Sequence, residues 1–225
     1  MADVALTFDN GPVAGVTDRV LDVLQEHGIG ATFFVVGRQL EAPGALDLVQ
    51  RAVEEGHQIG NHTWSHSVPF GDLDDDTAMR AEIDRTQDII EPFVGPDRLF
   101  RPFGSGGVVD HHLLSPAAAQ HLENGGYTCV LWDCVPRDWE DPTGWPDRCL
   151  AEIAGREHSV VVLHDLPTGA MDQLPRFLDS LRGSATRCVQ EFPDHCVAIR
   201  RGRRTDVLDV LIGGVASSEH RRIEP

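Results

Sequence analysis

Short runs of β-branched and aromatic residues alternate with stretches whose apolar residues recur at helical spacing, almost from one end of the chain to the other. Asp3–Phe8 reads as a first strand. Thr17–His27, with Val20, Leu21, Val23 and Leu24 on one face and Gly28 as a stop, reads as the helix after it. The pattern continues as strand 31–36, helix 45–55, strand 58–60, a polar loop and a helix over about 76–92. It then gives strand 99–102, helix 116–124, and strands 128–132 and 159–163, with a seventh strand near 196–200. Amphipathic stretches at 171–181 and 206–211 flank that last strand. This alternation predicts an α/β fold of parallel strands joined by helical crossovers, as an open doubly wound sheet or a closed (β/α) barrel. With 225 residues and no internal repeat or long linker, the expectation is one domain over 1–215 and a polar tail over 216–225.

Charge narrows the partners. There are 36 acidic residues against 19 basic ones, a formal net charge of -17, and every basic residue is Arg. Such a field repels phosphate backbones and anionic membrane surfaces, so neither nucleic acid nor membrane is expected as a partner. The absence of Lys excludes lysine chemistry. Five cysteines without a CxxC pair predict neither a disulfide scaffold nor a zinc ribbon. Met1–Phe8 has no basic or apolar leader character, and no apolar run approaches membrane length. The chain is therefore expected to be soluble and cytoplasmic, or secreted if a leader has been removed. No Gly-x-Gly-x-x-Gly follows the first strand and no phosphate-binding Gly-Lys-Ser/Thr occurs, which argues against nucleotide-binding versions of the fold.

In parallel α/β folds the active site lies at the carboxyl ends of the strands. The residues leaving those ends are Asp9 and Asn10, His62 and His66, Arg101, the segment 133–139, and His164 with Asp165. His62 and His66 stand four apart, so on one helical turn both rings would face a single cation; in a polar loop they would simply be hydrogen-bonded. Arg101 can clamp a carboxylate at the barrel mouth, either for catalysis or as a structural ion pair. His164 ends an apolar run, a place for acid or base duty, with Asp138 as its partner and Trp139 as a stacking wall. His27, His57, His111, His112, His121 and His195 lack such context and read as surface or structural. In the acidic loop 72–76, a helix cap is the expected role.

The segments Thr7-Phe8-Asp9-Asn10-Gly11-Pro12, Gly60-Asn61-His62-Thr63-Trp64-Ser65-His66, Arg101-Pro102-Phe103-Gly104, Asp138-Trp139 and Leu163-His164-Asp165 resemble, in order, the five motifs of the polysaccharide deacetylases, the NodB homology domain of carbohydrate esterase family four. The resemblance implies a distorted (β/α) barrel of about seven parallel strands and metal-assisted removal of an N-acetyl group from an amino sugar. It makes Asp9 the general base, Arg101 its orienting residue, His164 the general acid and Asp138 the partner of His164. His62, His66 and Asn10 would hold a divalent metal, with zinc expected first and cobalt, nickel or manganese as alternatives. Trp139, Leu163, Pro102 and Phe103 would line the substrate pocket, and the partner would be an N-acylated amino sugar or oligosaccharide.

Two departures stand out. Most members carry Asp where this chain has Asn10, and a neutral amide ligand attracts a cation less strongly than a carboxylate. The family also usually carries an Asp at the position of Val135. Beside the metal-dependent deacetylase, the Asn10 change leaves two further readings: a metal-poor or metal-free amide hydrolase of the allantoinase-like branch, and a non-catalytic carbohydrate-binding relative.

Overall fold

The computed structural model describes residues 2–184 and 186–212. The polar tail expected at 216–225 lies outside them. Strands and helices alternate as β1 (Ala2–Asp9), α1 (Thr17–His27), β2 (Thr32–Val35), α2 (Ala45–Glu54), β3 (Gln58–Asn61), α3 (Asp76–Ile90), β4 (Leu99–Phe100), α4 (Pro116–Asn124), β5 (Thr128–Val130), α5 (Trp145–Ile153), β6 (His158–His164), α6 (Leu174–Gly183), β7 (Thr186–Val189), β8 (Val197–Arg200), β9 (Arg203–Arg204) and α7 (Asp206–Ile212). Asp75 caps α3, its Oδ1 accepting the N–H groups of Thr77 and Ala78 at 2.9 and 3.0 Å. Among the described residues no helix is long and apolar enough to cross a membrane.

The strands form one curled sheet in the order β6-β1-β2-β3-β4-β5-β8-β9, and β7 pairs with the early part of β1. Pairings among β1 to β7 are parallel. The strand expected near 196–200 is present as β8, but it runs antiparallel to β5. Residues 190–196, which join β7 to β8, contain no α-helix, so no helical crossover returns the chain to the parallel direction. After β8, Arg201 and Gly202 both have positive φ (50° and 75°) and make the two-residue hairpin into β9. The seventh parallel strand is instead β7. Three elements escape the periodicity reading: β7, the two-residue β9, and α5. In α5, Pro142, Gly144 and Pro146 mask a helix whose Trp145 is fully buried and donates its indole N–H to the Ala170 carbonyl at 2.9 Å.

The barrel closes through a narrow seam. Just past β5, Cys134 bridges Val161 of β6, with its N–H on the Val160 carbonyl and its carbonyl accepting from Val162 at 3.0 Å. One step earlier the Asp133 side chain substitutes for backbone, its Oδ1 accepting the Val160 N–H at 2.8 Å. The result is a distorted barrel with a ladder missing at the seam.

Side chains alternate across each strand, and this sorts the core into two layers. Val4, Leu6 and Phe8 of β1, Phe33 and Val35 of β2, and Val161 and Leu163 of β6 pack outward with α1, α2, α5 and α6. Ala5, Phe34, Val160 and Val162 pack in the second cluster, which reaches α3, α4 and α7. Thr7 and Asp9 therefore share the inner face of β1 with Ala5, and His164 follows Val160 and Val162 on that of β6.

Candidate functional site

Asp9 stands at the tip of β1, 4% exposed, and its Cα partner across the β1–β6 ladder is His164. Behind it lies Arg101, completely buried just past β4. The guanidinium donates to Asp9 Oδ1 at 2.8 Å and Thr7 Oγ1 at 2.6 Å, reaches the Val130 and Leu131 carbonyls, and stacks over Phe34 at 4.1 Å. Burial pulls the Arg101 pKa down while Asp9 opposes the shift. A guanidinium stays charged through such shifts, so the pair is a buried ion pair with its donors satisfied.

His62 follows β3. Its Nδ1 donates to the Arg101 carbonyl at 2.9 Å, which leaves Nε2 facing Asp9 Oδ2 at 3.5 Å. His66 lies beside it, ring centroids 4.7 Å apart, and against Phe103 at 4.1 Å. Burial above all holds both imidazoles far down, to about 3, with His62 adding to the shift on His66. Both rings are therefore neutral at physiological pH, the form that ligates a cation.

The His62–His66 segment is not the helical turn that the spacing predicts. It is a loop in which Thr63 and His66 adopt positive φ, 65° and 53°, conformations unfavourable for a β-branched or bulky residue. The surroundings impose them. Asn61 Oδ1 accepts the Thr63 N–H at 2.9 Å, and Glu82 Oε2 on α3 accepts the Trp64 and Ser65 N–H groups at 3.1 and 2.7 Å. The Thr63 and Trp64 carbonyls accept from Gly37 and Arg38, and Arg85 stacks on the Trp64 ring at 3.7 Å. Glu82 carries no motif signature, and only its place on α3 beneath the loop reveals it.

Asn10 also has positive φ (79°), a conformation that Asn tolerates better than most residues. Its Oδ1 is buried and has no hydrogen-bond partner, yet it lines the same cleft as His62 and His66. An orphaned buried acceptor is rare and costly in the absence of a ligand, so the three side chains fit a divalent cation. A different group of ligand-type atoms, from Asp133, His195 and Cys196, lies within 4.8 Å at the seam. Its carboxylate is already engaged: Oδ1 by Val160, Oδ2 by Arg156 and His195, each at 3.2 Å.

On the opposite wall, His164 Nδ1 donates to Asp138 Oδ1 at 2.8 Å, and its backbone N–H donates to Oδ2 at 3.0 Å. Asp138 is fully buried. Burial lowers the His164 pKa, but the Asp138 hydrogen bond and the charges of Asp138, Asp9 and Asp165 outweigh it and leave a net rise. Trp139 meets the imidazole edge-on at 4.8 Å. The next residue, Asp165, is buried beneath the Gly11 turn and accepts a hydrogen bond from the Thr17 hydroxyl. A Cβ on Gly11 would overlap its carboxylate.

These walls enclose a cleft of about 300 Å³. Asp9, Asn10, His62, His66 and His164 meet in it, with Pro102, Phe103 and Trp139 in the lining and Arg101 and Asp138 directly behind. Leu163 is not in it. Because β6 turns His164 inward, the preceding residue faces outward, and Leu163 is fully buried among the outer core residues. Its place is taken by Val162 and Leu166, and Val135 adds a further apolar surface. The floor is fixed by Trp132, whose indole N–H donates to the Gly107 carbonyl at 2.8 Å, and a Cβ on Gly104 would overlap the indole ring.

The family model described as polysaccharide deacetylase matches residues 2–124. The chain is 36% identical over 165 residues to a chitooligosaccharide deacetylase of Rhizobium leguminosarum bv. trifolii, covering 72% of this chain and 71% of that protein. It is 31% identical over 196 residues to a peptidoglycan-N-acetylglucosamine deacetylase of Bacillus cereus, covering 84% of this chain. It spans 66% of that relative's length, slightly less than two thirds. Among solved structures, a family 4 carbohydrate esterase from Streptomyces lividans in complex with acetate superposes with a TM-score of 0.70 at 28% identity, covering 88% of this chain and 97% of that one.

Proposed function

Because this chain belongs to the polysaccharide deacetylase family, we propose that it is a metal-assisted hydrolase that removes the N-acetyl group from an amino sugar within an oligosaccharide. The observation that carries the reading is the placing of Asp9 and His164 as neighbours in one cleft, each held by its own buried partner, beside two neutral imidazoles and the unpartnered Asn10 Oδ1. His62, His66 and Asn10 would hold a divalent cation, zinc in the first instance. When bound, that cation supplies Lewis-acid polarisation of the acetamide carbonyl and acidifies water.

The remaining chemistry belongs to the chain. Asp9, oriented by Arg101, takes a proton from the attacking water. The water oxygen joins the acyl carbon, the C–N bond breaks, and acetate leaves. His164 gives its Nε2 proton to the departing nitrogen, with Asp138 stabilising the charged imidazole and holding the tautomer. Trp139, Phe103 and Trp132 offer flat apolar walls to the sugar ring and exclude water.

The test is elemental analysis of metal in the wild type and in Asn10→Asp, with acetate release from N-acetylglucosamine oligomers measured on the same samples. About one divalent ion per wild-type chain, with acetate release that chelation abolishes, supports the reading. An inactive wild type that stays free of metal when supplied with zinc overturns it.

A further inference from the structure

Among the side chains that line the cleft, His164 is the one that carries a positive charge near neutral pH. Among the described residues that line it there is no Arg, and the chain has no Lys. Two carboxylates are in the lining, Asp9 at the reacting centre and Glu140 at the rim. Glu140 is set by a tight turn: its N–H donates to the Arg137 carbonyl at 3.0 Å, and Arg148 holds the Pro136 carbonyl at 2.6 Å. The turn thus presents Asp138 inward, Trp139 as wall and Glu140 as rim. Arg137 bonds Glu140 at 2.9 Å but stands outside the lining, and both side chains are about half exposed. Around this cleft lies a chain of net charge -17.

We propose that Glu140, on a Trp139-bearing wall that no Arg or Lys lines, selects glycans by charge, favouring oligosaccharides that carry free amino groups beside their N-acetyl groups and disfavouring those that carry carboxylates. The proposal rests on the deacetylase reading for its chemistry, since each hydrolysis turns a neutral acetamide into an amine that is protonated near neutral pH. A sugar deacetylated earlier then becomes a cation next to Trp139, within reach of the Glu140 carboxylate. A lactyl carboxylate in the same place would face Glu140 and the acidic field, with no guanidinium in the lining to pair it and Arg137 already engaged by Glu140. Nearby glycans would be sorted before chemistry by the same field, most strongly at low ionic strength.

The test compares three oligosaccharides of equal length: a neutral N-acetylglucosamine pentamer, the same pentamer with two free amines, and a pentamer with lactyl carboxylates on alternate sugars. Binding by calorimetry and acetate release are both measured, at low salt and near 0.5 M salt, for wild type, Glu140→Gln and Arg137→Gln. The expected order of affinity is amine-bearing, neutral, carboxylate-bearing, with steps of about three- to tenfold at low salt that shrink at high salt. Glu140→Gln should narrow the steps, and Arg137→Gln, which releases the carboxylate, should widen them. Equal affinities, or tighter binding of the carboxylate-bearing glycan, overturn the proposal, as do steps whose size Glu140→Gln leaves unchanged. Binding in the expected order without acetate release upholds the charge preference and overturns the deacetylase reading. Acetate release with equal binding does the reverse.

Discussion

Asp9 and His164 are register partners on adjacent parallel strands, so a single ladder sets the separation of the proposed base and acid. Each is steadied from behind by a group on another element, Arg101 past β4 and Asp138 past β5. The acid arm is the simpler to test. His164→Ala should lower turnover by roughly 10²–10⁴-fold. Unchanged turnover removes His164 from the mechanism.

The net rise in the His164 pKa has a definite sign in a pH profile. The protonated imidazole persists to higher pH than an ordinary histidine, so activity should fall on the alkaline side as that proton is lost. Stability supplied by the charged imidazole is likewise full below the unfolded-state pKa and lost as pH rises through the folded one. Asp138→Asn removes the main raising partner and should move the alkaline limb to lower pH. A limb that stays in place assigns it to another group.

Asp165 behaves oppositely to a typical surface carboxylate. Burial pushes its pKa up to about 6, against the lowering effect of Thr17. Its folded-state pKa lies above the unfolded one, so the protein is favoured below the unfolded value and loses that advantage as pH rises through about 6. Asp165→Asn should therefore stabilise the protein at pH 7–8 relative to wild type, by up to about 2–3 kcal/mol. The difference should vanish near pH 4. Urea melts at the two pH values read it directly.

Glu82 holds the loop that carries both histidines through two backbone N–H groups. Glu82→Ala should weaken divalent-cation affinity by about 10–100-fold, measured by competition with a chromophoric chelator. Glu82→Gln retains an acceptor oxygen and should recover much of the loss. Equal affinity in all three proteins assigns Glu82 to scaffolding alone.

At the seam, Asp133→Ala removes the acceptor for the Val160 N–H and the carboxylate that Arg156 and His195 pair with, while Arg156 keeps the backbone carbonyl of residue 133. A destabilisation of about 1–3 kcal/mol is expected. Hydrogen exchange at the Val160 amide should accelerate more than that at Leu6 in the middle of β1.

Much of this site is legible in the chain because strand tips are sequence-local. A run such as Val161-Val162-Leu163 announces where a strand ends, and the residues just beyond it lie at the active face. Leu163 misses the pocket through the same regularity: alternation that turns His164 inward turns its neighbour out. The His62–His66 loop defeats a reading by spacing because its left-handed residues are imposed by the neighbouring Asn61 together with Glu82 and Arg85 of α3, an element that spacing does not connect to it. The antiparallel direction of β8 and the side-chain closure by Asp133 are likewise set by pairings between distant residues. No local pattern records them.

The ladder between β1 and β6 also orders events in time. Thr7 donates its hydroxyl proton to the Val161 carbonyl across 154 residues of sequence, and Asp9 meets His164 by the same pairing. As the chain leaves the ribosome, the side chains proposed to bind the cation, Asp9 and Arg101 are all made before the proposed proton donor exists. A partly synthesised chain can carry every proposed ligand side chain while lacking the proposed proton donor. The first strand to be made waits for the sixth, and the enzyme is assembled only when they meet.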